Sequence, residues 1–191
     1  LYSQLMSHSR LYTIRDPIYG FKTLDELEKE IIDHSCFQRL RRIQQLGLSS
    51  MFYQGTTHTR FENSLGAMHL STLMFDKIKN DPKYDEMLKK RGYHKEGLER
   101  NRHILRLAAL LHDIGHPPFS HGAEELMPYD KKIKKRLKHE NYSAYIIKNI
   151  LKNTIERNEY NNQNFNVKAD EIASFIEFDP NFISNDYFLK E

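Results

Sequence analysis

Residues His103–Pro118 read HILRLAALLHDIGHPP, and this stretch decides the fold. Ile104–Ile114 is apolar except for Arg106 and the closing His112-Asp113. That is too continuous for a helix with one wet face, so it reads as a helix buried on all sides. Gly115 and Pro117-Pro118 end it. A buried helix needs other elements packed around it, and the flanking sequence supplies helices. Leu24–Asp33 shows helical spacing, with Thr23 as its cap and Glu26 three residues on. Phe37–Leu46 follows and is stopped by Gly47. From Arg60 to about Lys79, Phe61, Leu65, Met68, Leu70, Leu73 and Met74 share a broad face, and Asp81-Pro82 ends it. His139–Leu151 and Asp170–Phe178 are two more helices. Leu48–Thr59 reads as loop, Asn153–Asn166 as an Asn-rich mobile connector, and Arg15–Gly20 as an extended lead-in with a turn. No pair of strands stands out, so the expected class is all-α, a helical bundle.

The 191 residues suffice for one domain with a substantial core. Residues 1–13 read as an N-terminal arm, with Leu1–Leu5 as an added leader before a start at Met6. Residues 14–191 read as the domain itself. No apolar run is long enough to cross a bilayer, and the N-terminus lacks a secretory signal. No membrane partner is therefore expected. The single cysteine, Cys36, excludes an internal disulfide and fits a reducing, cytoplasmic setting. The net charge of +3 is small, but it is clustered. Lys89–Arg102 is basic, and Lys131–Lys138 (KKIKKRLK) more so. Such a run is either a solvated helix face or a surface that attracts polyphosphate or nucleic acid.

The chemistry gathers where the buried helix ends. A charged Asp113 beside His112 is costly there. A divalent cation would remove that cost, with nitrogen from His112 and a hard oxygen from Asp113. Taken alone, the dipeptide equally fits a hydrogen-bonded pair at a helix end. Its surroundings point to chemistry. His116 and His121 follow across Pro117-Pro118-Phe119-Ser120, a stiff loop expected to bury Phe119. Histidines there can position or protonate a phosphate leaving group. Glu124, three residues past His121, is placed to orient it. His139, beside Glu140, starts a later helix. Upstream, Arg60 opens a helix within HTRFENSLG (58–66) and offers a planar fork to phosphate oxygens, or to a structural ion-pair partner. Gly66 inside that helix suggests close helix packing.

Three segments in this order, FQRLRRIQQLG (37–47), HTRFENSLGAMH (58–69) and LLHDIGHPPFSHGAEE (110–125), resemble the HD-domain deoxynucleoside triphosphate triphosphohydrolases. These include dGTPase-like bacterial enzymes and the mammalian SAM-and-HD-domain enzyme. RDPIYGF (15–21) resembles the family's opening segment. The likeness covers roughly residues 14–145. It implies an all-α HD fold that hydrolyses a dNTP to a deoxynucleoside and tripolyphosphate. It implies a divalent metal (Mg, Mn, Fe, Zn or Ni) held by His112 and Asp113. His116, His121 and His139 would line the phosphates, with His116 or His139 as general acid. His121, supported by Glu124, would help deliver the nucleophile. Arg60 would hold phosphate, and Gln45 and Leu46 would contact the sugar. The family also implies a nucleotide effector and a homo-oligomer.

Two departures stand against this pattern. The family places a metal-ligating histidine where this chain has Asn63, a neutral and weaker ligand for a transition metal. His69 lies six residues on, roughly 240° around the helix, and so faces elsewhere. The family's last aspartate comes from a later DxDRxDYL-like motif. Neither Asp179 nor Asp186 carries it, so the chain is expected to stop short of that segment. The competing readings are a catalytically weakened nucleotide-binding or regulatory HD protein, motivated by Asn63, and a phosphohydrolase acting on another phosphoester or single-stranded nucleic acid, motivated by Lys131–Lys138.

Overall fold

A computed structural model describes residues 10–16, 18–90, 95–131 and 134–177. Asp179 and Asp186 lie outside the described residues. The fold is all-α with two small hairpins. In chain order come β1 (Tyr12–Asp16), β2 (Gly20–Leu24), α1 (Glu26–Asp33), α2 (Ser35–Gln38), α3 (Arg60–Lys79), α4 (Pro82–Lys90), α5 (Lys95–Leu111), β3 (Tyr129–Asp130), β4 (Lys135–Arg136), α6 (His139–Tyr145), α7 (Lys152–Glu156), α8 (Glu159–Asn164) and α9 (Ala169–Glu177). Tight helical turns cover Arg39–Arg42, Gly47–Met51 and Ser120–Leu126, and a wide one covers Ile146–Ile150.

α5 is the central element, as its sequence requires. Leu107, Leu110, Leu111 and the following Ile114 are fully buried. Each such side chain contributes about 1.5–3 kcal/mol. α3 and α9 pack on α5, and α6 packs on α9. Arg102 in α5 grips Asp76 of α3 through two hydrogen bonds of 2.7 and 2.8 Å.

Several local expectations are corrected. β1 and β2 pair antiparallel, from Tyr12 opposite Leu24 to Asp16 opposite Gly20. The hairpin escapes pattern reading because its outward residues are mixed. Its turn is stabilised by Asp16, which accepts from the Ile18 and Tyr19 amides and pairs with buried Lys22. Asp25, not Thr23, caps α1, in a capping box with Glu28, because Thr23 is committed to the strand. The 37–46 helix stops at Arg42, and Ile43 turns extended so that Gln44 can bridge to Thr59. The Asn-rich connector is instead ordered as α7 and α8. Buried Asn161 holds it by donating to the Ile155 and Val167 carbonyls and accepting from the Val167 amide. Gly66 has only the Tyr19 ring nearby, at 3.8 Å, so close helix packing does not explain it.

Candidate metal centre

The site forms where three chain segments meet: the start of α3, the turn after α5, and the start of α6. α5 ends at Leu111, and 112–115 turn sharply. That turn is fixed from outside. Arg39 donates to the His116 carbonyl at 2.7 Å and to the Ile114 carbonyl. Ser143 of α6 donates to the His112 carbonyl at 2.8 Å and accepts from the Gly115 amide at 2.9 Å. A Cβ on Gly115 would lie 2.3 Å from the Ser143 nitrogen and 2.4 Å from the His139 carbonyl oxygen. Glycine therefore lets the first turn of α6 lie directly against the turn after α5.

Asp113 stands at the middle, 3% exposed. Its Oδ1 faces three imidazoles: His112 Nε2 at 3.3 Å, His116 Nε2 at 3.4 Å and His139 Nε2 at 3.8 Å. Its Oδ2 accepts from Arg60 and from the Asn63 amide, the latter at 3.4 Å. Burial works against the carboxylate, but His112 and His116 beside it and the Arg60 charge hold its pKa well below the usual range. Burial also opposes charge on His112, yet Asp113 outweighs it and raises the imidazole pKa.

These residues fit a divalent cation. The His112 Nδ1 lies 2.8 Å from the Ala109 carbonyl, so it carries the proton and leaves Nε2 as a lone pair. Lone pairs of Nε2 and Oδ1 facing one another repel unless a proton or a cation lies between them. Ligands bound about 2.0–2.1 Å from a tetrahedral ion sit roughly 3.4 Å apart, which matches these spacings. His116 is fully buried with neither ring nitrogen partnered. Burial lowers its pKa and keeps the ring neutral. An apolar cavity of about 650 Å³, walled by Pro117, Met127, Tyr142 and Ile146, backs it.

His116 and His139 stack at 3.8 Å with 19° between rings. His116, His121, Glu124 and His139 bring ligating atoms within 4.8 Å of one another, a spacing that could also hold a cation. Within this cluster Glu124 joins two histidines. It hydrogen-bonds His139 Nδ1 and lies 3.3 Å from His121 Nδ1. Burial opposes its charge, but both imidazoles lower its pKa. The sequence assigned Glu124 to His121, which is 64% exposed. The His139 partnership is invisible in sequence because the chain must fold back over a separation of 15 residues to make it.

The remaining candidates also converge. Arg60 is 1% exposed and turned inward, donating to Ser120 Oγ, Asp113 and the Gln45 carbonyl as well. The hydroxyl of Ser120 is needed inside, so Ser120 takes the buried place expected of Phe119. Phe119 is 59% exposed with φ of 67°. Gln45 and Leu46 sit beside the start of α3 through the Gln44–Thr59 bridge, and the buried Gln45 Oε1 has no partner. A second cluster, Asp25, Glu28 and His103, also meets ligand spacing. Arg106 already pairs with Glu28 there, and backbone amides occupy both carboxylates, so no cation is required.

An all-α bundle with a His-Asp pair closing its central helix defines an HD-type fold, the fold of metal-dependent phosphohydrolases. The HD domain profile matches residues 60–181, and the chain belongs to the HD domain family. It is similar to the uncharacterized protein MJ1154 of Methanocaldococcus jannaschii, at 39% identity over 76% of this chain and 28% of that protein. It is similar to the human deoxynucleoside triphosphate triphosphohydrolase SAMHD1, at 39% over 56% of this chain and 16% of that protein. It is also similar to the Dictyostelium discoideum SAMHD1 homolog, at 37% over 58% and 20%. The chain thus spans less than a third of these relatives. Among the described residues no helix is long and apolar enough to cross a membrane.

Proposed function

We propose that this chain, with residues 14–191 as one HD domain, hydrolyses deoxynucleoside triphosphates to deoxynucleoside and tripolyphosphate with a divalent cation at Asp113. The observation that carries the reading is the convergence of three imidazole nitrogens on Asp113 Oδ1 at 3.3–3.8 Å. The similarity to proteins named as deoxynucleoside triphosphate triphosphohydrolases supports the substrate class. His112 and Asp113 hold the cation, which when bound polarises a phosphoryl oxygen and lowers the pKa of a water. His116, His121 and His139 line the phosphates. His139 Nε2 gives a proton to the departing oxygen, its ring oriented by the Glu124 hydrogen bond at Nδ1. Arg60 supplies positive charge beside the phosphates. Gln45 Oε1, buried and unpartnered, accepts from a sugar hydroxyl, and Leu46 packs on the ring. A cytoplasmic setting, a nucleotide effector and a homo-oligomer belong to the same proposal.

One observation favours a second reading, a nucleotide-binding protein with weakened catalysis. The Asn63 amide donates to Asp113 Oδ2 instead of contributing a metal-binding nitrogen. Incubating the chain with dATP, dGTP, dCTP or dTTP and Mn²⁺, Mg²⁺ or Fe²⁺, with product identification, tests both. Deoxynucleoside plus tripolyphosphate is expected. Monophosphate plus pyrophosphate would overturn the triphosphohydrolase reading, and nucleotide binding without any product would favour the second.

A further inference from the structure

The basic run that the sequence left between two readings takes no part in the proposed chemistry. Its described residues include β4, which pairs with β3 as a hairpin, Tyr129 opposite Arg136 and Asp130 opposite Lys135. The hairpin is rooted in the site at both ends. Its first strand follows Glu124 by five residues, and its second ends three residues before His139. Arg136 ties the base down by donating to the Met127 carbonyl at 2.6 Å, and the Leu137 amide donates to the Pro128 carbonyl at 3.0 Å.

Lys131, Lys134, Lys135, Arg136 and Lys138 are all exposed. None has an ion-pair partner among the described residues. Lys134 holds a left-handed φ of 51°, a conformation unusual for a non-glycine residue. Some lysines elsewhere are paired, Lys29 with Asp33, Lys79 with Glu99 and Lys148 with Glu177, while Lys77 and Lys152 have no ion pair among the described residues. Five exposed cations this close together repel one another and favour a polyanion nearby. At roughly 3.3 Å per extended residue, Lys135 stands about 10–13 Å of chain from His139. One short polyanion can therefore reach both the histidines and the base of the hairpin.

We propose that this hairpin binds the distal phosphates of the substrate and makes the site select a polyphosphate chain over a single phosphate. The proposal rests on the nucleotide reading above and adds to it a determinant of phosphate number. A nucleic-acid strand would offer similar charge. A site closed in by buried His116 and Asp113, however, favours a short, flexible polyanion whose end enters it.

The test compares the full chain with K134A/K135A. A control, K77A/K152A, removes the same charge elsewhere. Binding of inorganic tripolyphosphate and of orthophosphate is followed by calorimetry at two salt concentrations. For K134A/K135A, tripolyphosphate binding is expected to weaken about tenfold with a shallower salt dependence, while orthophosphate binding stays within twofold. Equal losses for both anions, no loss for either, or the same loss in the control would overturn the proposal. So would an oligo-deoxythymidine strand that binds tighter than tripolyphosphate and loses more in the variant. Binding is read without turnover. Selective loss in a chain that hydrolyses no dNTP would leave the hairpin's role standing while the hydrolase reading fails.

Discussion

Arg60 and Asp113 form a buried ion pair, their side chains 2% and 4% exposed, that joins the first residue of α3 to the turn after α5. The pair lies 53 residues apart in sequence. It brings a helix start, which carries Asn63, against the carboxylate that the histidines surround. Removing Arg60 would leave a buried carboxylate without its main cation. Arg60→Ala should lose roughly 3–5 kcal/mol of stability in chemical denaturation. A loss under 1 kcal/mol would mean that the histidines alone carry the charge of Asp113.

Asn63 sits on the opposite oxygen of that carboxylate from the imidazoles. Asn63→His would put an aromatic nitrogen beside Asp113. Cation affinity should rise at least tenfold, a gain of about 1.4 kcal/mol. Titration with Mn²⁺ or Co²⁺ under competition reads this directly. Unchanged affinity would show that the residue at 63 does not reach the ion.

Glu124 acts through His139, so it is a positioning residue. Glu124→Gln keeps the shape and removes the charge. Turnover should fall about 10- to 100-fold with KM changed less than twofold, and His121→Ala should act more through KM. Equal effects of Glu124→Gln on kcat and KM would make Glu124 a binding group instead.

Away from the site, Asp25 and His103 set a pH dependence. Burial, with Glu28 adding, pushes the Asp25 carboxyl up to about 7. Burial, with Arg106 and Arg102 adding, pushes His103 down to about 3. Because folding raises the Asp25 pKa, its ionisation opposes the fold. Stability is lost as pH rises from the ordinary carboxylate range to 7. His103 works the other way, costing stability as pH falls from the ordinary histidine range toward 3. Asp25→Asn keeps an N-cap acceptor and removes the first penalty. It should stabilise the fold at pH 7.5 by roughly 1–3 kcal/mol more than at pH 4.5. Equal effects at the two values would refute the assignment.

Much of this was legible in sequence. The buried helix and the helix from Arg60 followed from apolar continuity and proline and glycine punctuation. The density of histidines drew attention to His112, Asp113, His116 and His121, whereas Arg60 and His139 became site candidates through the family resemblance. What stayed hidden depends on contacts between distant segments. Phe119 and Ser120 exchanged their expected places because Arg60 needs the hydroxyl. The Asn-rich segment is ordered because a single buried Asn161 satisfies three backbone groups. The basic run gave no sign of a hairpin, since its two strands have only two residues each.

The contact at Gly115 has a consequence for how such a chain can diversify. Gly115 and the first turn of α6 are held together by close backbone approach and by the Ser143 hydroxyl, so the spacing between His112 and His139 does not depend on the chain running between them. That chain closes a loop whose ends are already fixed, and doubling the length of a flexible loop costs only about 0.6 kcal/mol. Insertions and deletions around residues 129–138 are therefore cheap for the spacing of the histidines. The hairpin is a replaceable module, free to acquire new recognition properties while the histidine cluster stays in register.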